Sequence, residues 1–421
     1  MFKFLHAADI HLDSPLRGLS RYESAPAESV RNACRRAFEN LVDLAIEEKV
    51  AFVLLSGDLY DGDWKDYSTG IFLGRQVGRL GRNGIAVFAV AGNHDAASRI
   101  TAALDCPANM KVFPSQKGET FRHQALAVAI HGQSFATQHV DRNLAAGYPP
   151  AAEGMFNIGM LHTSLDGREG HDVYAPCSTD DLCRRGYQYW ALGHVHAPET
   201  VSEDPWIVFP GCIQGRHIRE RGPKGCVLVT VAGGAVESLE RRPLDVLRWA
   251  LTTVDASGAA DARELTECAR EAIESALEAS EGRPTAMRVR CIGATAASAE
   301  LAAFPERFEQ RIRALAAEIA GDSLWIERVE NATSDRFDHT AAPSEPGALG
   351  NLLGEIARLP DGPEAADGIR DLIADLRQKM PPEAFGPGSP LDLDEAGTAR
   401  RLVAEAKRLL VGRLLAAGDA G

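Results

Sequence analysis

The chain has 421 residues, too many for one compact core, so two or three domains are expected. Hydrophobic residues make up 45% and charged residues 25%, an ordinary globular balance. With a formal net charge of −14 and a pI near 5.4, the chain lacks the basic character that grips nucleic acid by surface charge alone, so a polyanionic partner would have to be met by bound cations or a second subunit.

In chain order, Phe2–Ala8 is an apolar run of strand length. Val30, Ala33, Cys34, Ala37, Phe38, Leu41, Val42 and Ala45 then recur at helical spacing. Ala51–Leu55 is a second buried strand, Ile71, Leu73, Val77 and Leu80 mark a second helix, and Ile85–Ala91 is a third strand. This alternation predicts an α/β layered domain with parallel strands. From about residue 125 the texture changes to short strands with few helices between them: Ala125–Ile130, Asn157–Leu161, Tyr187–Leu192, Trp206–Phe209 and Cys226–Val231. A second sheet packed on the first accounts for them. Past Arg241-Arg242-Pro243 the pattern resets into a small βαβαβ unit, with strands at Leu247–Val254, Ala286–Ile292 and Leu324–Val329 and helices near 260–280 and 298–320. The segment TAAPSEPGA (340–348) reads as a linker, and beyond it only helical patterns occur, at 349–356, 369–376 and 402–414. The expected organisation is a main domain over 1–240, a small α/β domain over 241–340 and a helical region over 341–421.

Polar residues follow the strands in a regular way. The first strand leads into Asp9 and His11, the second into Asp58 and Asp61, and the third into Asn93, His94 and Asp95. Two of the later strands lead into His162 and into the pair His194 and His196. Ligands of open α/β sheets bind beyond the carboxyl ends of the strands. A single Asp after a strand is most often a turn or cap residue, and an isolated His most often a satisfied core residue. Five such endings in one chain point to a shared site. Carboxylates, imidazoles and an amide oxygen without thiolate suit manganese, iron or zinc in a catalytic rather than a structural site. The set exceeds what one small ion needs, and two ions roughly 3.5–4 Å apart form the clamp used for displacement at phosphorus. The spacings Asp-x-His and His-x-His place alternate residues on one side of extended backbone.

The segments DIH, GDLYD, GNHD, the lone His162 and GHVH resemble the five signatures of the calcineurin-like metallophosphoesterases. The opening FKFLHAADIHLDSPL and the stretch FPGCIQGRHIRERGPKGCVLV (209–229) resemble the DNA repair exonuclease branch, with its SbcD-type nuclease subunits and YhaO-like bacterial proteins. The motifs lie within roughly the first 240 residues. The resemblance implies a two-sheet sandwich flanked by helices, with a small α/β capping domain and a helical C-terminal tail. It implies Asp9, His11 and His196 on one ion, Asn93, His162 and His194 on the other, and Asp58 bridging them. It implies His94 as a catalytic residue outside the ligand set, oriented in several relatives by an acid at the position of Asp61. DNA-specific eukaryotic and archaeal relatives tend to have histidine there, so Asp61 favours the bacterial type. The implied activity is a manganese-dependent phosphodiesterase, or nuclease, acting on DNA beside an SMC-like ATPase subunit of the SbcC or YhaN type, and a homodimer is compatible with it. A phosphodiesterase for a small nucleotide or another phosphate ester, and a metal-binding assembly scaffold, are the alternatives.

Other features carry less. In the loop GRHIRERGPKG, Arg216 and Arg219 are read as contacts to a nucleic-acid backbone as readily as solvated charge, and His217 as a loop residue that could touch substrate. Trp64 and Tyr67 could stack on a base, although packing against the next helix is the commoner role. His171 is not counted as a ligand. Arg35-Arg36 and Arg184-Arg185 are read as solvated charge. The helix over 397–417 has an apolar stripe suited to its own domain or to docking on a partner. Eight cysteines without a CxxC pair, no long apolar segment at the start and no stretch near the roughly 20 apolar residues of a membrane span lead to the expectation of a reduced, cytoplasmic, membrane-free protein.

Overall fold

The structure, a computed structural model, describes residues 1–14, 16, 32–61, 68–97, 107–166, 174–335, 348–359, 402–407, 410 and 414. Trp64, Tyr67, His171, the pattern at 369–376 and most of 397–417 lie outside the described residues. The chain divides into two compact units, Met1–Ala250 with Ser280–Ala286, and Leu251–Ala279 with Met287–Gly421.

The first unit is built on two mixed sheets of six strands. Strands β1 (Phe2–Ala7), β2 (Phe52–Ser56), β3 (Ala86–Val90) and β4 (Met110–Val112) run parallel, and β1 pairs antiparallel with β11 (Gly225–Ala232), which pairs with β12 (Ala235–Pro243). In the second sheet β6 (Val128–Gly132), β7 (Phe156–His162), β8 (Tyr189–Gly193) and β10 (Trp206–Phe209) run parallel, with β5 (Glu119–His123) and β9 (Glu199–Glu203) antiparallel at the edges. Helices α1 (Ala33–Glu47) and α2 (Ser68–Arg82) cover the outer face of the first sheet, where Leu5, Val53 and Val87 meet Phe38, Leu41 and Val77. The opposite face presents Phe4, Phe52 and Phe88 to Val128, Ile158, Met160 and Tyr189 of the second sheet. The far side of the second sheet is closed by Phe135, Tyr148, Leu165 and Leu182 over Trp190 and Leu192. Burial on both faces explains why these strands are near-continuous apolar runs.

Four strands escape the sequence pattern. β4, β5 and β9 are short, and they and β12 are mostly half-exposed or exposed, so no apolar run marks them. Arg241–Pro243, where the pattern resets, are the last residues of β12 and pair with Gly225–Val227. Arg35 is also not simply solvated: its guanidinium grips Asp13 through two bonds of 2.6 Å each, the fork geometry that arginine offers a carboxylate.

A three-stranded sheet, most of whose residues belong to the second unit, has the order β13 (Arg248–Asp255), β14 (Thr285–Thr295), β15 (Leu324–Asp335). Helix α3 (Ala262–Glu278) begins at Asp261, whose carboxylate accepts from the N–H groups of Arg263 and Glu264. The helix expected over 298–320 is two helices, α4 (Ser298–Ala303) and α5 (Pro305–Ala320). Pro305 is the reason: it starts a helix well but drives the preceding Phe304 out of helical backbone (φ −132°, ψ 59°). Helix α6 spans Ala348–Arg358. Among the described residues no helix is long and apolar enough to cross a membrane. Of the described cysteines, Cys34, Cys177, Cys212, Cys226 and Cys291 are buried, and all are free thiols.

Candidate metal centre

Parallel pairing decides where the polar residues arrive. Ala7 is level with Leu55 and Ser56 with Val90, so the segments after β1, β2 and β3 leave the first sheet side by side. In the second sheet His162 is level with Gly193. Pairing continues beyond the strand ends, with Asp9 N–H donating to Gly57 O and His11 N–H to Asp58 O, each at 3.0 Å. Asp9, His11, Asp58 and His194 all have positive φ, at 52°, 45°, 53° and 101°. Left-handed backbone at non-glycine residues costs about 1–3 kcal/mol each and persists where the surroundings enforce it.

Three glycines make the close approach possible. A Cβ at Gly57 would lie 2.3 Å from His162 Nδ1, one at Gly92 2.3 Å from Asp58 Oδ1, and one at Gly193 1.9 Å from Ser56 O. The glycine that precedes Asp58, Asn93 and His194 is therefore dictated by packing between the two sheets.

Six of the seven residues expected as ligands bring donor atoms close together, and the seventh, His194, sets its ring beside that of His162. Asp9, His11, Asp58, Asn93, His162 and His194 are buried, and His196 is half-buried. Donor atoms of Asp9, His11 and His196 lie within 4.8 Å of one another, as do those of Asp9, Asp58 and His162, and of His11, Asp58 and His94. Asn93 Oδ1 is 3.1 Å and Asp58 Oδ2 3.5 Å from His162 Nε2. The His194 ring stands edge-on to His162 at 5.2 Å between centroids, and its backbone N–H donates to both oxygens of Asp9 at 3.2 and 3.0 Å.

The donor set fits divalent cations. His162 Nδ1 donates to Ser56 O at 3.0 Å, and His196 Nδ1 donates to Glu220 Oε1 at 2.6 Å, so in both rings the Nε2 lone pair faces the site. His11 Nε2 meets His196 Nε2 at 3.4 Å, while His11 Nδ1 lies 3.4 Å from Asp61 Oδ1. Two imidazole lone pairs and the carboxylates of Asp9 and Asp58 thus crowd one buried space. Burial, then repulsion from Asp58, raises Asp9 well above the usual carboxylate range, and burial raises Asp58 to about 6. Burial holds His162 down at about 3, which keeps its ring neutral and ligand-ready. Cations would remove the repulsion and use the lone pairs.

The rim carries the remaining chemistry. His94 is more exposed than Asp61, Arg216 or His217, with 37% of its side chain accessible, and its Nδ1 lies 3.4 Å from Asp61 Oδ1. Asp61 is held well below the carboxylate range; burial raises it, but the hydrogen bond and charge of His11 outweigh that. Arg216 reaches the site, 3.7 Å from Asp61 Oδ1 and 3.3 Å from His196 Nδ1. His217 is half-buried, 3.5 Å from Glu220, whereas Arg219 stands exposed on the surface.

Glu220 escaped the sequence reading. It is buried, binds His196, and anchors Arg216 through the backbone N–H at 2.6 Å and the guanidinium at 3.2 Å. Burial pushes its carboxyl up, but His196 and Arg216 bring it well below its ordinary value. The available signal was a lone acid among the cations of GRHIRERGPKG.

Two facing sheets with parallel centres, whose strand ends present two aspartates, an asparagine and four histidines to one space, define a calcineurin-like metallophosphoesterase. Residues 2–198 match the calcineurin-like phosphoesterase family, and residues 249–334 match the middle domain of metallophosphoesterase YhaO. The chain belongs to the YhaO family: it is 33% identical over 343 residues to the uncharacterized metallophosphoesterase YhaO of Bacillus subtilis (strain 168), covering 80% of this chain and 83% of that one. It is also 25% identical over 230 residues to the DNA double-strand break repair protein Mre11 of Methanopyrus kandleri, covering 50% of this chain and 48% of the relative. To the Mre11 protein of Sulfurisphaera tokodaii it is 23% identical over 266 residues, covering 60% and 65%. Calcineurin-like phosphoesterases bind a pair of divalent metal ions, and this chain brings candidate ligands for such a pair together.

Proposed function

We propose that the chain is a manganese-dependent phosphodiesterase acting on DNA, the nuclease half of a repair complex with an SMC-like ATPase. The carrying observation is His94, poised at the open rim beside a buried donor set and steadied by Asp61. The partial likeness to two DNA double-strand break repair proteins supports the choice of substrate. Asp9, His11 and His196 would hold one ion, Asn93, His162 and His194 the other, with Asp58 between them. When bound, such a pair supplies Lewis acidity and a water of lowered pKa.

The protein's own groups do the rest. Ser56 O and Glu220 fix the tautomers of His162 and His196. Asp61 orients the His94 ring, whose nitrogen stabilises the transferring phosphate or gives a proton to the departing ester oxygen. Arg216, anchored by Glu220, adds a fixed positive charge at the rim. An acidic chain engages a polyanion through these local charges.

The purified protein with manganese should cleave labelled duplex or single-stranded DNA in preference to cyclic nucleotides and an aryl phosphodiester. Asp58→Ala and His94→Gln should each abolish most turnover, His94→Gln by about 10²–10⁴-fold with metal uptake retained. Preference for the small esters would replace the DNA reading, and absence of turnover on every substrate would favour a scaffold.

A further inference from the structure

A cavity of about 380 Å³ lies within the first unit, lined by Lys224, Arg241, Arg242, Arg248 and Glu281. Its charge balance is uneven. Arg248 is neutralised by Asp245 and Glu281, each at 3.0 Å, and Arg242 by Glu48 at 2.8 Å. The other two cations have no carboxylate partner among the described residues. Lys224 Nζ donates to His196 O at 3.3 Å, and Arg241 Nη1 donates to Pro198 O at 3.3 Å. Both acceptors are neutral, both bonds are long, and both belong to one short loop.

Lys224 is only 6% exposed. Burying an ammonium against a single backbone carbonyl is costly unless a counter-charge completes it. An exposed Arg241 at the same wall offers the planar fork that suits an oxyanion. The cavity falls within the roughly 300–1,000 Å³ of small-molecule sites, larger than a bare anion requires.

We infer that this cavity is a second ligand site, distinct from the metal centre, which takes a phosphate monoester of mononucleotide size through Lys224 and Arg241. The phosphate provides the charge that Lys224 lacks, and the remaining volume receives the group it carries. The site is independent of whether DNA is the substrate, because neither cation is a metal ligand.

The test is calorimetric titration of the full-length chain with thymidine monophosphate and with inorganic phosphate, both metal-loaded and after chelation. One binding event should survive chelation. Arg241→Glu should weaken that event about tenfold or more, as expected for losing a charged hydrogen bond, while leaving binding at the metal centre intact. Lys224→Met should weaken it too, and the exposed Arg241 variant keeps the test decisive if the buried one misfolds. Tighter binding of the mononucleotide than of inorganic phosphate identifies a nucleotide site, and equal binding identifies a site for the phosphate group alone. Binding of neither probe after chelation, or binding indifferent to Arg241→Glu, overturns the inference.

Discussion

Glu220 Oε1 lies 2.6 Å from Nδ1 of His196, and the same carboxylate holds Arg216. One acid thereby aims a metal-facing imidazole and anchors a rim cation. Partners of this kind on metal-bound histidines are worth about 10–100-fold in metal affinity. Glu220→Gln should therefore lower manganese affinity within that range, measured by metal titration of the purified protein. Glu220→Ala should also lower Tm, since Arg216 loses its counter-charge. Metal binding by Glu220→Gln equal to that of the native protein would show that His196 needs no orientation.

Asp9 and Asp58 repel one another in a buried space, and their function sets that cost. Asp58→Asn keeps the oxygen that accepts the His94 N–H while removing one charge. In chelated protein this variant should melt higher than native, by about 2–4 °C per kcal/mol recovered. With manganese present the order should reverse, because native protein gains binding energy that the variant loses. Thermal melts with and without chelator decide it, and a lower Tm for the variant without metal refutes the account.

The glycines before the ligands differ from ordinary turn glycines. Gly84 has positive φ (72°), as Gly57 does (97°), yet nothing lies within 4 Å of its added Cβ. Gly84→Ala should cost about 1–3 kcal/mol, from backbone strain alone. Gly193→Ala must push Ser56 O away from a Cβ 1.9 Å distant, so it should cost more than about 4 kcal/mol or yield insoluble protein. Urea midpoints of the two variants test the ordering.

His6 ties the two sheets together, donating from Nε2 to Leu192 O and accepting from Tyr189 Oη, each at 3.0 Å. Burial lowers its pKa from 6.5 to about 3. The unfolded chain takes up a proton below about 6.5, and the folded chain resists it, so this group's contribution is complete above 6.5 and is lost as pH falls toward 3. His6→Gln removes that liability together with the hydrogen bonds. Its destabilisation relative to native should shrink by about 2 kcal/mol between pH 8 and pH 5, at 1.36 kcal/mol per pH unit below 6.5. Denaturant curves at both pH values measure the difference, and an unchanged gap would mean that the ring titrates in the folded state as it does in the unfolded chain.

Much of the site was legible because the central strands are buried on both faces. Their apolar runs stand out, and so does the abrupt Asp, Asn or His that follows each one. The edge strands were not legible, since Glu119–His123, Glu199–Glu203 and Ala235–Pro243 are partly or wholly solvated and carry polar residues. Glu220 was hidden for another reason. Its role depends on a partner 24 residues away in sequence and brought within 2.6 Å only by the fold.

The residue types and their order along the chain determined the chemistry: which side chains could hold cations, and that thiolates are not among them. Tertiary structure alone decided how these side chains face each other. Parallel register sets the ends of β1, β2 and β3 level, the facing of two sheets brings His162, His194 and His196 over them, and glycine permits the approach. Local sequence encodes what a side chain can donate or accept. The distance between donors from strands far apart in sequence is set by packing, and packing is a property of the whole fold.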